Sequence, residues 1–549
     1  MIYTSSCTPV PIPNIDICSF LFLPNEYNQK RAHNRPILID GNSGKTLSYA
    51  QVRDQCSRLA AGWRDQLGLK KGDVVAVFAP NQYDHALLYF SILGAQCTVT
   101  PGNPNYTKAE FEHQLRTSNA QAIVTVPELL PTLSQLATEC GIPRERVLLF
   151  GDRAVDGYQS FYSLMSNRSI TYPLPESNAA DDVAFICFSS GTTGVAKGVM
   201  LTHRNFVAQM LIVTLFEYPH GAPETDVILA FLPFYHIFGL TTLCLRAFYT
   251  MNPVVIMYKY DLQKMCQLVQ QHTVTVLPIV PPVAVHLAKS PIVQQYNLSS
   301  LRMIGCGAAP LGREHIDALN LRINAPVRQG YGMTETTAGC IYQKVGISPA
   351  GSTGVLINNM ECKLVDADGN AVGPDQDGEI LLRGPTIMKG YINNATANAE
   401  TFTEGGWMRT GDVARFDSQY NEFFIVDRIK ELIKYKGYQV APAELEAVLM
   451  SHKDVADCCV VGVYDAAEAT ELPRAYVVLQ STADRTEAFA EQLVQYVASH
   501  VTRHKHLRAG VRFIDVVPKS PSGKILRRQV REWVKQEMQD KASETQARL

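Results

Sequence analysis

The sequence predicts an α/β protein: a large N-terminal part of parallel sheets with covering helices, a small β-rich subdomain, and a small α+β domain at the end. Through most of the chain, helical segments such as Tyr49 to Gln66 alternate with apolar strands such as Asp73 to Phe78, which is the order of parallel sheets with helices on their faces. From about Met360 the texture changes to short strands and turns. Glu361 to Val365, a turn over Asp366 to Gly369, and Gly378 to Leu382 predict the β-rich subdomain. The charged run Asp427-Arg428-Ile429-Lys430-Glu431 then follows the strand Phe423 to Val426 and makes an exposed linker. Beyond it, Pro442 opens a helix over Ala443 to Met450, and Ala456 to Val463 reads as a strand. The expected units are 1–428, a linking segment 429–433, and 434–549.

Composition narrows the function classes. A chain of 549 residues with 46% hydrophobic and 19% charged content can bury large cores in more than one domain. A formal net charge of -2 leaves no basic surplus for wrapping nucleic acid. The thirteen cysteines contain no Cys-x-x-Cys pair, which argues for reduced thiols in the core rather than a disulfide framework or a zinc site. Met1 to Leu23 lacks Lys and Arg and is broken by Pro9, Pro11 and Pro13, unlike a secretory signal. The uncharged stretch Thr273 to Ala288 is short for a bilayer and holds Pro278, Pro281 and Pro282, so it reads as a buried strand running into a proline-initiated helix and no membrane span is expected. A predicted helix, Gln529 to Met538, precedes the ending Ala547-Arg548-Leu549, which resembles the Ser-Lys-Leu peroxisomal address. That resemblance implies an import receptor as partner and a peroxisomal location, with the cytoplasm otherwise.

The chemistry is concentrated after the apolar run Val183 to Phe188. There the chain reads Ser189-Ser190-Gly191-Thr192-Thr193-Gly194-Val195-Ala196-Lys197-Gly198. Such a loop can aim backbone N–H groups, several hydroxyls and one ammonium at a polyphosphate. It is not a Walker A loop, because Ala196 precedes the lysine and Gly198 follows it. Two further clusters, Gly305-Cys306-Gly307-Ala308-Ala309-Pro310 and Gly330-Tyr331-Gly332-Met333-Thr334-Glu335, lack the third glycine of a dinucleotide turn. Each follows a short apolar stretch and is expected at a strand end, where open α/β sheets form their ligand crevices.

These segments, with Phe234-Tyr235-His236-Ile237-Phe238-Gly239, Gln329 to Thr337, Thr410-Gly411-Asp412, Asp427 to Ala443 and Pro521-Ser522-Gly523-Lys524, resemble in order the adenylate-forming superfamily of acyl-CoA ligases, luciferases and peptide-synthetase adenylation domains. Lys434 to Pro442 is similar to coumarate-CoA ligases and beetle luciferases in particular. The resemblance implies ATP, Mg²⁺ and coenzyme A as cofactors and a small-molecule carboxylic acid as substrate. It implies that Ser189, Ser190, Gly191, Thr192, Thr193, Gly194 and Lys197 hold the departing phosphates, and that Thr334 and Glu335 meet the α-phosphate and the metal. Asp412 takes the ribose hydroxyls with Arg428 reinforcing it, Tyr331 packs against adenine, and Gln329, Gly330, Gly332, Gly307 and Ala308 border the nucleotide or acid. His236 lies near the reacting carboxylate. Lys524 neutralises charge during adenylation, whereas Lys434 and Gln439, with Gly437 and Tyr438, belong to a second surface that serves thioester formation after the small domain swivels about Lys430.

The expected reaction is ATP-dependent activation of an aryl or medium-chain acid followed by CoA thioester formation. A luciferase-like oxygenase, an adenylation enzyme loading a carrier protein, and a non-catalytic nucleotide sensor are the alternatives. Coumarate ligases often place Tyr where Phe238 stands, and the missing hydroxyl argues against a 4-hydroxycinnamate preference.

Overall fold

Helix starts in this chain are written by capping residues. Ser48 accepts from the backbone N–H of Gln51 while the Gln51 side chain returns to Ser48, and the helix Tyr49–Asp65 follows. Its Val52, Cys56, Leu59, Ala60 and Trp63 recur at helical spacing and are all buried. Thr202 and Asn205 repeat the device before His203–Glu217. The next strand type is equally legible: all five residues of Val74–Phe78 are buried, as expected for a parallel strand covered on both faces.

The computed structural model describes residues 1–189, 196–309, 311–349, 351–436, 438–465, 468, 470–480, 484–520 and 523–547. Among these, two large sheets form the body of the protein. One runs in the order Gly390–Tyr391, Lys197–Thr202, Val183–Ser189, Thr98–Gly102, Val74–Phe78, Ala120–Thr125, Val147–Leu149. Its strands from Val183–Ser189 to Val147–Leu149 are parallel, and the other two are antiparallel additions. The second sheet is parallel from Pro36–Asp40 through Val254–Ile256, Ile228–Ala230, Val276–Ile279 and Met303–Cys306 to Val327–Met333, with antiparallel edges. A continuous apolar core joins the two.

The β-rich part is an antiparallel sheet of Glu361–Val365, Asp377–Arg383, Trp407–Asp417, Phe402–Thr403 and Glu422–Arg428. Its edge is Tyr3–Thr4, paired from the other end of the chain, and Gly390–Tyr391 leaves it to join the first large sheet. The β-rich region is therefore not a contiguous segment. After Arg428 come the hairpin Ile433–Tyr435 with Tyr438–Val440, the helix Pro442–Ser451, the long pair Val455–Asp465 and Thr470–Leu479, and the parallel strand Val511–Phe513. The final helix, Arg527–Ala547, is longer at both ends than the sequence pattern indicates. Arg548 and Leu549 lie outside the described residues.

The glycines of the Gly330 cluster sit inside the strand Val327–Met333 rather than beyond its end, and the ladder shifts register between Tyr331 and Gly332. The reason is steric: a Cβ at Gly332 would lie 2.0 Å from the Ala338 carbonyl oxygen, and one at Gly330 would lie 2.6 Å from the Tyr342 ring. All thirteen cysteines are free. No helix among the described residues is long and apolar enough to cross a membrane.

Candidate active site

Strand ends build the cavity. Ser189, Pro101, Gly305 and Cys306 close parallel strands of the two sheets, Gly330 to Met333 come from the last strand of the second, and Thr410, Gly411 and Arg428 come from the antiparallel sheet. Together they enclose about 810 Å³, with Ser520 and Lys524 of the small domain in the wall. The small domain is seated directly on the large one: at Gly523 (φ +80) an added Cβ would lie 3.1 Å from Val280. An apolar cluster of Val413, Leu432 and Ala441 bridges the linker.

Glu335 is buried, and its Oε1 accepts from the hydroxyls of Ser189 and Tyr391, both at 3.0 Å. Oε2 has no hydrogen-bond partner among the described residues. Thr334 lines the cavity beside it. The Lys197 ammonium sits 4.8 Å from the centre of the Tyr391 ring, so one tyrosine orients both the carboxylate and the lysine. Tyr391 was not anticipated from the sequence, because its role depends on the pairing of Gly390–Tyr391 with Val199 and Met200.

Asp412 forms a second node. The Tyr331 hydroxyl donates to its Oδ2 at 2.6 Å and Arg428 Nε donates to Oδ1 at 3.2 Å. Strand register explains the second contact, since Asp412 and Arg428 face each other across the antiparallel pair. Asp412 stands just behind the cavity wall, which Tyr331, Gly411 and Arg428 form.

Lys524 and His236 meet electrostatically. Burial, then the Arg428 cation, push the Lys524 pKa down to about 8 against the pull of Asp412 and Glu335. Burial, then Lys524 itself, push His236 down to about 4, so its imidazole is neutral at ordinary pH. The Phe238 backbone N–H donates to His236 Nδ1 at 3.4 Å, which leaves the ring proton on Nε2.

The remaining expected residues divide. Gly307, Ala308, Gly330 and Gly332 line the cavity. An added Cβ at Gly307 would lie 3.1 Å from the Phe238 ring, so the glycine gives that ring its place. Gln329 turns away: its Oε1 accepts from the Leu311 backbone N–H at 2.8 Å. Lys434, Tyr438 and Gln439 are exposed on the small domain's hairpin and do not line the cavity. Ser190, Gly191, Thr192, Thr193, Gly194 and Gly437 lie outside the described residues. Sequence reasoning also missed Glu217, Arg246 and Arg328, which line the cavity at another end. Glu217 and Arg246 do leave a signal, a lone charge in each of the apolar stretches around residues 206–217 and 237–249, whereas Arg328 leaves none of that kind.

Known proteins resemble this chain over nearly its whole length. The family profile described as AMP-binding enzyme matches residues 25–392, and that of AMP-binding enzyme C-terminal domain matches residues 444–524. The 4-coumarate-CoA ligase 3 of Oryza sativa subsp. japonica is 40% identical over 534 residues, covering 95% of this chain and 93% of that protein. ATP-bound MatB from Rhodopseudomonas palustris is similar in structure, with a TM-score of 0.83 at 26% identity over 94% of this chain and 99% of that one. The anthranilate CoA ligase AuaEII in complex with anthranoyl-AMP shares the fold, with a TM-score of 0.86 at 22% identity over 96% and 99% of the two chains. With profile matches on both sides of the linker and a full-length relative at this identity, the chain belongs to the AMP-binding enzyme family.

Proposed function

We propose that the cavity activates an aryl or medium-chain carboxylic acid, with the named residues in the roles given below. The chain is an ATP-dependent acyl-CoA ligase, an acid-thiol ligase working through an acyl-adenylate. The observation that carries the assignment of roles is the burial of Lys524, from the small domain, in the same cavity as His236, Glu335 and Arg428.

In the first half-reaction an oxygen of the acid attacks the α-phosphorus of ATP, the bond to the bridging oxygen breaks, and pyrophosphate leaves with that electron pair. Negative charge gathers on the α-phosphate oxygens as the two anions close. A desolvated ammonium stabilises that charge more strongly than one in water, which is the role given to Lys524. Neutral His236, with its proton on Nε2, donates a hydrogen bond to the acid and orients it without adding a competing cation. Asp412, fixed by Tyr331 and Arg428, retains free lone pairs for ribose hydroxyls.

Magnesium fits the donor set: a carboxylate with Oε2 unengaged among the described residues, beside the Thr334 hydroxyl, suits a hard cation that takes few protein ligands and completes its shell with phosphate oxygens. Glu335 and Thr334 would hold it, and it would supply charge neutralisation on the phosphates. In the second half-reaction the CoA thiol adds to the acyl carbonyl and AMP leaves. Lys434, Tyr438 and Gln439 serve that step once rotation about residues 429–433 replaces the Lys524 loop.

ATP-pyrophosphate exchange across an acid panel, followed by CoA-dependent AMP release, tests the reading. Exchange with at least one acid and AMP release on adding CoA are expected. Exchange without CoA turnover would indicate carrier loading, light or oxygen uptake from the adenylate an oxygenase, and no exchange with any acid a sensor.

A further inference from the structure

Glu217, Arg246 and Arg328 form a buried ion triad in the cavity wall, away from the reacting groups. Their side chains are 2%, 12% and 8% exposed, and all three line the same cavity as His236 and Lys524. Each guanidinium donates to a different Glu217 oxygen: Arg328 to Oε1 and Arg246 to Oε2. Among the described residues neither guanidinium has another hydrogen-bond partner, although each carries five N–H donors. Arg328 also lies 5.2 Å from the centre of the Tyr342 ring, which lines the same wall.

Two cations against one anion leave the triad at +1. Asp226, which interacts with the neighbouring Tyr218, is already held by Arg302, with which it makes a contact of 2.6 Å. Burial disfavours the Glu217 carboxylate, yet the two arginines together hold its pKa below the ordinary value. The triad is therefore ionised, with a surplus positive charge; all three members line the cavity, Arg246 this one alone, while Glu217 and Arg328 also border a neighbouring cavity beside Pro9 and Lys344. Covering that surplus with an alkyl or bare aryl tail would strip a cation of water without replacing the lost partners.

Chain geometry sets the distance from the reacting end. His236 caps the helical stretch that runs through Leu240–Arg246, and ten residues at helical rise place Arg246 at most roughly 15 Å further along. Arg328 stands six residues before Thr334 on the strand Val327–Met333, roughly 20 Å at extended rise. Two separate elements thus carry a guanidinium away from the reacting end into one place. The wider i→i+5 turns of Leu240–Arg246, a rare geometry, set the rotation of Arg246 on its helix.

We propose that Arg246 and Arg328 bind a second carboxylate at the far end of the substrate, so that the acid activated here is an aryl or medium-chain dicarboxylic acid. The inference rests on the ligase reading above and adds the substrate class. The distal carboxylate brings the site to neutrality and accepts the unused guanidinium N–H groups, while Glu217 keeps the two arginines parallel and prevents them from repelling one another.

The test compares three acids of equal length, ending in carboxylate, hydroxyl or methyl, by kcat/KM in ATP-pyrophosphate exchange. The dicarboxylic acid is expected to exceed the methyl-ended acid by on the order of a hundredfold, with the hydroxyl between them. An equal or reversed ranking in an enzyme that exchanges overturns the proposal, whereas absence of exchange with every acid of a wide panel overturns the ligase reading instead. Arg246→Gln and Arg328→Gln should each lower the carboxylate-to-methyl ratio by about tenfold or more, with exchange on the methyl-ended acid retained. A structural role alone would lower both acids together. Where those variants fail to fold, the three-acid ranking in the unaltered enzyme decides alone, and a dicarboxylic acid no better than its methyl-ended counterpart counts against the proposal.

Discussion

The small domain carries two surfaces rich in the same residue types, and they sit in opposite environments. The Lys524 loop is packed into the cavity, where burial and Arg428 hold its ammonium pKa at about 8. The hairpin of Ile433–Tyr435 and Tyr438–Val440 presents Lys434 and Gln439 to solvent, with the Tyr438 ring stacked on His504 at 4.5 Å. Location, more than residue identity, makes one lysine electrostatically potent and leaves the other screened. One rigid placement cannot bring both into the cavity, so the roles proposed above call for two orientations of the domain.

The sharpest way to break this contrast is Lys524→Ala. Loss of a desolvated cation at the reacting phosphate should slow adenylate formation by about 10²- to 10³-fold, while a preformed acyl-adenylate still reacts with CoA within a few-fold of wild type. Single-turnover assays of each half-reaction measure this, and equal loss in both would contradict the division. The mirror substitutions, Lys434→Ala and Gln439→Ala, should slow CoA capture by about tenfold and spare pyrophosphate exchange. Loss of exchange in those variants would place the hairpin in the first step.

A smaller effect comes from pH. The Lys524 pKa is lowered by the fold, so its charge is present below about 8 and is lost as pH rises through that value. The kcat/KM for ATP in exchange should be level near neutrality and fall above about 8. A profile that stays flat well beyond that point, in an enzyme that remains folded, would remove Lys524 from the role. Least in size is Arg531→Ala. Arg531 pairs with Glu431 at 2.6 Å and donates to the Lys430 carbonyl, bracing the linker. Its loss should shift the balance of the two half-reactions by a few-fold without abolishing either, read as the ratio of exchange rate to thioester rate.

Local signals were well written in the sequence. The helix starting at Tyr49 has its capping box and apolar stripe in plain view, the strand Glu361–Val365 has the expected bounds, and the proline pair opens Pro281–Lys289. The motifs around His236, Gly330 and Lys524 converge on one cavity because strand ends of two sheets and one loop of the small domain meet there. What escaped is long-range. Tyr3–Thr4 pairs with Glu361 and Cys362, and Tyr391 reaches Glu335 only through a strand added to a distant sheet. A two-residue strand carries too little pattern to reveal its partner. The triad escaped for the same reason, since Glu217, Arg246 and Arg328 become neighbours only when the helix His203–Glu217, the π-helical stretch Leu240–Arg246 and the strand Val327–Met333 pack together. Gln329 sits in a nucleotide-site motif, yet its amide is spent holding Leu311, a contact its position in the motif does not disclose.

Asp427, the penultimate residue of the last large-domain strand, accepts the backbone N–H of Ala443 at 3.0 Å, in the first turn of the small domain's helix Pro442–Ser451. That N–H is one of the donors every helix start leaves open, and water can take it over when the domains part. The fastening, made to a carboxylate, is worth about 1–3 kcal/mol. It is one of several ties, with the Val413, Leu432 and Ala441 cluster and the Arg531 pair, that would have to yield for the small domain to take the second orientation proposed above.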